Sequence, residues 1–124
     1  MLENIRSKNK EKGDEGEKIV IRYLKQCGYE ILIRNFRCRS GEIDVIFKDN
    51  EEIVFAEIKT RSGTNYGFPA ESVTVFKKNH ILNTARYFLY RYHLWNCNVR
   101  FDVIEVYLKK YSKYDINHIK NVFW

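Results

Sequence analysis

Four charged residues on two neighbouring apolar segments have the types and spacing of a hydrolytic site. Glu42 and Asp44 alternate with apolar residues in the first segment, and Glu57 and Lys59 lie in the second. Carboxylate oxygens are the usual protein ligands of Mg²⁺, and a nearby lysine can orient an attacking water or stabilise negative charge in a phosphoryl transition state. These residue types therefore predict metal-assisted hydrolysis of a phosphate ester.

The alternation of both segments predicts a β-hairpin whose turn is centred on the Asn50–Glu51 bond. Pairing symmetric about that bond places Asp44 opposite Glu57 and Glu42 opposite Lys59. Because side chains alternate between faces, all four are expected on one face of the sheet. Directly opposed carboxylates repel each other, and a divalent cation, Mg²⁺ or Mn²⁺, would remove that penalty.

The composition is that of one globular domain without a membrane span. The chain has 124 residues, of which 44% are apolar and 31% charged. No apolar run approaches the roughly 20 residues that cross a bilayer. The charged N-terminus has no apolar signal segment, so a cytoplasmic location is expected. Residues 1–12 are predicted to form a flexible charged arm and residues 13–124 a single domain.

The net charge of +6 favours a polyanionic partner such as a nucleic acid. The alternative interpretation is that the charge only provides solubility. The three cysteines, Cys27, Cys38 and Cys97, form no CxxC pair and have no histidine at zinc-ligand spacing. They are predicted to be reduced thiols, with Cys27 in the core.

Hydrophobic periodicity divides most of the chain into two helices and four strands. The first helix is predicted from Asp14 to Cys27, before the hairpin, and the second from Thr74 to Tyr92, after it. Successive strands followed by a helical crossover imply an α/β fold with a mixed central sheet and helices on its faces. The remaining predicted segments are a strand 29–35, a basic turn 34–41, a loop 60–69, a strand 99–108 and an apolar C-terminal element 116–124.

Two helical residues are expected to point toward the sheet. Glu17 lies on the buried edge of the first helix, and Lys77 shares a face with the apolar residues of the second. A glutamate in the first turn could equally serve the helix dipole. Arg39 in the basic turn and Arg61 beside the loop are, with Lys77, the candidate contacts to nucleic-acid phosphates.

The C-terminal half of the second helix combines aromatic and basic residues, as single-strand binding platforms do. Aromatic residues at helical spacing more often belong to the core, and that interpretation is favoured here. His93 and His118 have no partner at ligand spacing and are predicted to be solvated. The members of the aromatic and basic cluster are Arg86, Tyr87, Tyr90, Arg91, Tyr92 and Trp95.

The constellation resembles the PD-(D/E)xK nuclease superfamily, and more narrowly the YraN-type family of small bacterial proteins within it, which is similar in arrangement to Holliday-junction resolvases. The resemblance covers nearly the whole chain, although Ile43 stands where the superfamily motif has its proline. It implies a three-layer α/β/α restriction-endonuclease-like core. The matching residues are Gly13, Glu17, Asn35, residues 41–44 (GEID), residues 55–61 (FAEIKTR), Lys77 and residues 100–103 (RFDV).

The resemblance also implies roles for individual residues. Asp44, Glu57 and the backbone carbonyl of Ile58 would bind Mg²⁺ or Mn²⁺. Lys59 would position the water nucleophile, and Glu17 would complete the acidic cluster. The implied activity is that of a metal-dependent endonuclease that hydrolyses phosphodiester bonds in DNA, with branched or junction DNA as a candidate substrate.

Two other functions compete with catalysis. The chain could be a nucleic-acid-binding module that keeps the fold and cleaves little or not at all. It could also be a structural domain in which Glu42 and Lys59 form an exposed ion pair, although retention of all four charged groups argues against this. The sequence leaves open whether the partner is DNA or RNA, whether one metal or two would bind, and whether a homodimer engages two strands.

Overall fold

The computed structural model describes residues 2–62 and 75–122, with side chains described for residues 13–62 and 77–122. The described residues form two helices and five strands. Among the described residues, no helix is long and apolar enough to span a membrane. In chain order the elements are α1 (Leu2–Gln26), β1 (Glu30–Cys38), β2 (Gly41–Asp49), β3 (Glu52–Ser62), α2 (Val75–Arg91), β4 (Val99–Leu108) and β5 (Tyr114–Ile119).

The five strands form one mixed sheet in the order β1-β2-β3-β4-β5. β3 and β4 are parallel, whereas the other neighbouring strands are antiparallel. A parallel pair needs a long crossover, and α2 lies in the connection between β3 and β4. The predicted α/β class, with a helix, a three-stranded meander, a second helix and a further strand, is confirmed.

One helix covers each face of the sheet. α1 packs Val20 and Leu24 against Val45 and Phe47 of β2. α2 packs Ala85 and Phe88 against the opposite face, where the partners include Ile46 and Phe55. Because successive side chains of β2 and β3 point to opposite faces, the same two strands contribute to a hydrophobic core on each face of the sheet. This gives the predicted three-layer arrangement.

The first helix is longer than the periodicity predicts. It begins at Leu2, within the segment expected to be an arm, because that segment is rich in Lys and Glu, which favour helix without marking a buried face. It ends at Gln26, where Gly28 has φ of 86° and the amide of Tyr29 donates to the carbonyl of Leu24. This C-terminal cap leaves Cys27 exposed, so its predicted place in the core is wrong.

Three strand boundaries also differ from the predictions. β1 continues to Cys38, and the expected basic turn is reduced to residues 39–40. β3 continues to Ser62, so it contains the first residues of the predicted loop 60–69, the rest of which lies outside the described residues. The C-terminal element is strand β5, which starts at Tyr114 because its backbone pairs with β4.

Candidate active site

The site lies where β2 and β3 separate. Their paired residues run from Asp49 opposite Glu52 to Val45 opposite Ala56, which confirms the predicted register over these residues. The ladder ends one pair before the predicted pairing of Asp44 with Glu57, which is not formed. Beyond that point β2 continues its pairing with β1, and β3 continues with β4. The Oδ2 atom of Asp44 then accepts a hydrogen bond from the backbone N–H of Ile58 at 2.8 Å.

A cavity of about 210 Å³ occupies this opening. Glu42, Asp44 and Glu57 line it from the sheet, and Lys77 lines it from α2. Apolar side chains of α2 and β4 form much of the remaining wall. A small cavity with few convergent charges on an apolar wall is the usual form of a ligand site. The apolar lining residues include Phe55, Ile81, Phe101 and Val103.

Two ammonium groups converge on one oxygen of Glu57. Lys59 Nζ lies 3.1 Å from Glu57 Oε1, and Lys77 contacts the same oxygen. The other carboxylate oxygen, Oε2, is buried and has no hydrogen-bond partner among the described residues. A buried carboxylate oxygen without a hydrogen-bond partner destabilises the fold unless a bound ligand interacts with it.

Burial and mutual charge shift the ionisation of these groups. Burial raises the pKa of Asp44, and the charges of Glu57 and Glu42 raise it further. Burial and a hydrogen bond with Lys77 lower the pKa of Lys59. Burial lowers the pKa of Lys77, but hydrogen bonds with Glu57 and Lys59 raise it by a larger amount, so that the pKa lies above its usual value. The two lysines are therefore inequivalent, and Lys59 loses its proton more readily than Lys77.

Glu17 does not reach this cavity. Its Oε1 accepts hydrogen bonds from the guanidinium of Arg34, at 2.9 and 3.1 Å, and from Asn35 Nδ2 at 2.9 Å. Asn35 adopts φ of 54°, and a bulge between Ile31 and Ile33 locally alters the strand. The sequence could place Glu17 on the sheet side of α1, but it could not show that β1 would engage the carboxylate.

Glu42 also has a different partner from the one expected. It forms an ion pair with Arg37, at 2.7 Å, across the β1–β2 ladder. The predicted opposition of Glu42 and Lys59 is wrong, because β2 and β3 are no longer paired at that point. Glu42 remains at the edge of the cavity and influences Asp44 through its charge.

The three candidate phosphate contacts lie in different environments. Arg39 is exposed in the turn between β1 and β2. Arg61 donates from Nε to Glu105 Oε2 at 3.0 Å, so this part of its guanidinium is already engaged. Lys77 lies in the cavity wall beside Glu57. A role in phosphate binding stays a prediction for each of them.

One buried carboxylate, that of Glu105, was not anticipated from the sequence. Glu105 is fully buried, lies opposite Lys59 in the β3–β4 ladder, and accepts hydrogen bonds from Tyr107 and Asn117 as well as from Arg61. The alternation of β4 could have placed Glu105 on the face that carries Phe101 and Val103. Only the parallel register reveals that this carboxylate adjoins the site.

His118 was expected to be solvated, and this prediction is wrong. Its side chain is only 5% exposed, with Nε2 at 2.7 Å from Asp102 and Nδ1 at 2.8 Å from the hydroxyl of Tyr23. Asp102 also pairs with Arg100. The histidine is buried because β5 adds to the sheet beneath α1, a placement that no spacing in the sequence indicates.

The donor set fits a hard divalent cation. Asp44 and Glu57 supply two carboxylates at the cavity, and one Glu57 oxygen has no described hydrogen-bond partner. Mg²⁺ is commonly held by one or two carboxylates together with waters and substrate phosphates. Within residues whose side chains are described, no group of three or more His, Cys, Asp or Glu could hold a metal. The fit therefore rests on two side chains and leaves the remaining positions to other oxygens.

The chain matches the model of the uncharacterised protein family UPF0102 over residues 16–106. The chain belongs to this family. UPF0102 proteins of Caldicellulosiruptor saccharolyticus and Clostridioides difficile are each 48% identical to it over 115 residues, which cover 92% and 93% of this chain and 98% of each relative. A UPF0102 protein of Clostridium botulinum is 49% identical over 117 residues, covering 93% of this chain and 95% of the relative. The predicted resemblance to the YraN-type family is thus confirmed, whereas membership of the nuclease superfamily and the similarity to resolvases stay predictions.

Proposed function

We propose that this protein is a metal-dependent nuclease that hydrolyses phosphodiester bonds in DNA, with branched or junction DNA as its candidate substrate. One observation carries the proposal. The partly buried Glu57 lines the cavity with Asp44, and one of its oxygens contacts two lysines while the other is buried without a described partner. A domain built only for stability gains nothing from such an oxygen, whereas a bound cation would interact with it.

Asp44 and Glu57 would hold Mg²⁺ or Mn²⁺, with the carbonyl of Ile58 as the third protein ligand implied by the resemblance. A bound Mg²⁺ supplies charge neutralisation at the phosphate and lowers the pKa of its water. The hydrogen bond from the Ile58 N–H fixes the orientation of the Asp44 carboxylate. Lys59 would orient the attacking water, and its lowered pKa means that it gives up its proton more readily than an ordinary lysine.

Lys77 would neutralise negative charge on the substrate phosphate. Its raised pKa keeps the ammonium protonated while Lys59 titrates at a lower pH. The net charge of +6 suits a polyanionic substrate, and a cytoplasmic location gives access to cellular DNA. A homodimer that presents two sites to two strands is the assembly that a junction substrate would require.

A binding module with little or no cleavage is the second candidate. The observation that favours it is the engagement of Glu17 by Arg34 and Asn35, which removes a third carboxylate from the cluster. Lys77 and Lys59 also neutralise Glu57 without any metal. In that case the net positive charge of the protein would drive binding to nucleic acid, the affinity would fall steeply with salt, and the cavity would have no catalytic role.

The decisive assay incubates purified protein with labelled linear duplex, flap and four-way-junction DNA in Mg²⁺ or Mn²⁺. The variants are Asp44→Asn and Lys59→Ala, and EDTA serves as the metal-free control. Asp115→Asn is the matched control, because Asp115 is an exposed aspartate on β5. We expect cleavage of at least one substrate, with a loss of about 100-fold or more for Asp44→Asn and no loss for Asp115→Asn.

Cleavage that persists at the same rate in Asp44→Asn would refute the nuclease proposal by pointing to a contaminant. Absence of cleavage of every substrate, together with salt-sensitive binding, would establish the binding module instead.

A further inference from the structure

A second surface with the chemistry of a binding site lies at the C-terminal end of α2. We name it the stacking surface and define it by Arg86, Tyr90, Arg91 and Trp95. Tyr90 is 74% exposed and Trp95 is 58% exposed. Arg86, Leu89, Tyr90 and Trp95 together line a groove of about 330 Å³. We propose that this surface binds the unpaired bases of a single-stranded nucleic acid.

The aromatic rings of the stacking surface are not needed for the core. α2 already meets the sheet through Ala85 and Phe88. Tyr90 and Trp95 instead face each other with ring centroids 6.4 Å apart and planes inclined by 36°. Sequence periodicity favoured a core role for these residues, and that prediction is wrong for this pair. Exposed rings held close together are the usual means of stacking successive bases without sequence preference.

The charge of this region favours phosphates over a protein partner with mixed charge. Residues 72–101 contain no aspartate or glutamate, whereas Arg86 and Arg91 lie within one helical turn of Tyr90. Both arginines are exposed. The guanidinium of Arg91 also lies 5.6 Å from the ring centroid of Tyr92, so one of the two arginines already contacts an aromatic ring. Bases could therefore stack on the rings while the phosphates contact the arginines.

The position of the stacking surface relative to the cavity favours an unpaired strand over a duplex. Lys77 and Tyr90 are 13 residues apart on α2, a separation of about 20 Å along the helix axis. At about 100° per residue, Tyr90 also points about 140° away from Lys77 around that axis. A duplex, which is stiff over about 50 nm, would not bend around one helix to reach both. A flexible single strand could reach both. The inference therefore rests on the proposed nuclease function and specifies a substrate with an unpaired segment.

The test measures binding without cleavage, in EDTA, so that its failure is distinct from failure of the nuclease proposal. The chain has two tryptophans, and Trp124→Phe leaves Trp95 as the only one. In that background, oligothymidylate is titrated while the fluorescence of Trp95 is recorded. Duplex DNA of the same length and oligouridylate are titrated in parallel, and the latter distinguishes DNA from RNA.

We expect saturable quenching by the single strand, with at least tenfold weaker binding of the duplex. Tyr90→Ala should weaken single-strand binding at least tenfold, and Arg86→Ala should reduce its dependence on salt. Tyr111→Ala is the matched control, since Tyr111 is a 91% exposed tyrosine on the β4–β5 connection, and its affinity should stay within twofold. Circular dichroism spectra confirm that each variant is folded.

Three results would overturn the inference: no quenching of Trp95, equal affinity for duplex and single strand, or unchanged affinity in a folded Tyr90→Ala variant. A concentration-dependent dimer that Tyr90→Ala abolishes, seen by sedimentation velocity without quenching, would show that the surface is a self-interface instead. Cleavage without quenching would overturn this inference alone. Quenching without cleavage would overturn only the nuclease proposal.

Discussion

The Oδ2 atom of Asp44 lies 2.8 Å from the backbone nitrogen of Ile58 and accepts its hydrogen bond. This contact joins β2 to β3 just beyond the last paired residues of their ladder, Val45 and Ala56. A side chain thus replaces the backbone partner that an unbroken hairpin would provide. It fixes one carboxylate beside Glu57 and keeps open the space that the cavity occupies.

Removal of Lys77 should tighten cation binding. Lys77 and Lys59 both contact Glu57 Oε1, so each repels a divalent cation that binds the same carboxylate. Lys77→Met should raise the affinity for Mn²⁺ by about fivefold, in line with the loss of about 1 kcal/mol of repulsion, the value for two unit charges about 4 Å apart in water. Isothermal titration calorimetry in low salt measures the effect. Lys78→Met, the neighbouring lysine, is the control, and an equal increase there would show that only net charge matters.

The close approach of α1 to β3 should make Gly16 intolerant of a side chain. A Cβ at Gly16 would lie 1.9 Å from Oγ1 of Thr60, the residue after Lys59. Gly16→Ala should lower the free energy of unfolding by about 1–3 kcal/mol, measured by urea denaturation. Adding Thr60→Ala should recover part of the loss.

Gly13 provides the matched control for that substitution. It lies on the same helix, and no described residue outside the local helix would come within 4 Å of a Cβ at this position. Gly13→Ala should raise the free energy of unfolding by about 0.5–1 kcal/mol through helix propensity. Equal effects of the two alanines would contradict the proposed contact between α1 and β3.

The buried carboxylate of Asp102 should make stability depend on pH. Burial opposes its charge, but hydrogen bonds with His118, Arg100 and the Asn121 N–H lower its pKa below the usual value. A lowered folded-state pKa gives a contribution that is present above the unfolded pKa of about 4 and is lost as pH falls through the folded value.

Asp102→Asn should therefore cost about 3–5 kcal/mol of unfolding free energy at pH 7 and less at pH 3. Urea denaturation at both pH values measures the difference from the unsubstituted protein. Asp115→Asn, at an exposed ion pair with Lys109, should cost less than about 1 kcal/mol at either pH. A cost for Asp102→Asn that is the same at both pH values would contradict the assignment of the effect to its ionisation.

Local pattern was sufficient for the architecture and for the hairpin register. The polar turn at Asn50 and the alternation on either side of it fix which residues face each other from Val45 to Asp49. The helical face of α2 likewise predicted the placement of Ala85 and Phe88. Both depend on contacts between residues close in sequence or on one apolar face, which periodicity encodes directly.

The partners of charged side chains could not be predicted in the same way. Glu42 pairs with Arg37 because β2 leaves β3 and stays with β1. Glu17 binds Arg34 and Asn35 because of the way α1 sits over β1. These outcomes depend on how elements distant in sequence are placed, and a shift of a few ångströms exchanges one partner for another. The type of a charged residue indicates its chemistry, whereas its neighbours can be identified only once the fold is known.

Direct titration of Mn²⁺ into the protein without nucleic acid tests most simply whether the opening between β2 and β3 is a cation site. Calorimetry is run on the unsubstituted protein, on Asp44→Asn and on the control Asp115→Asn. We expect saturable binding in the unsubstituted protein and the control, with at least tenfold weaker binding in Asp44→Asn. Undiminished binding by Asp44→Asn, or no binding to the unsubstituted protein at millimolar Mn²⁺, would contradict the assignment of the site.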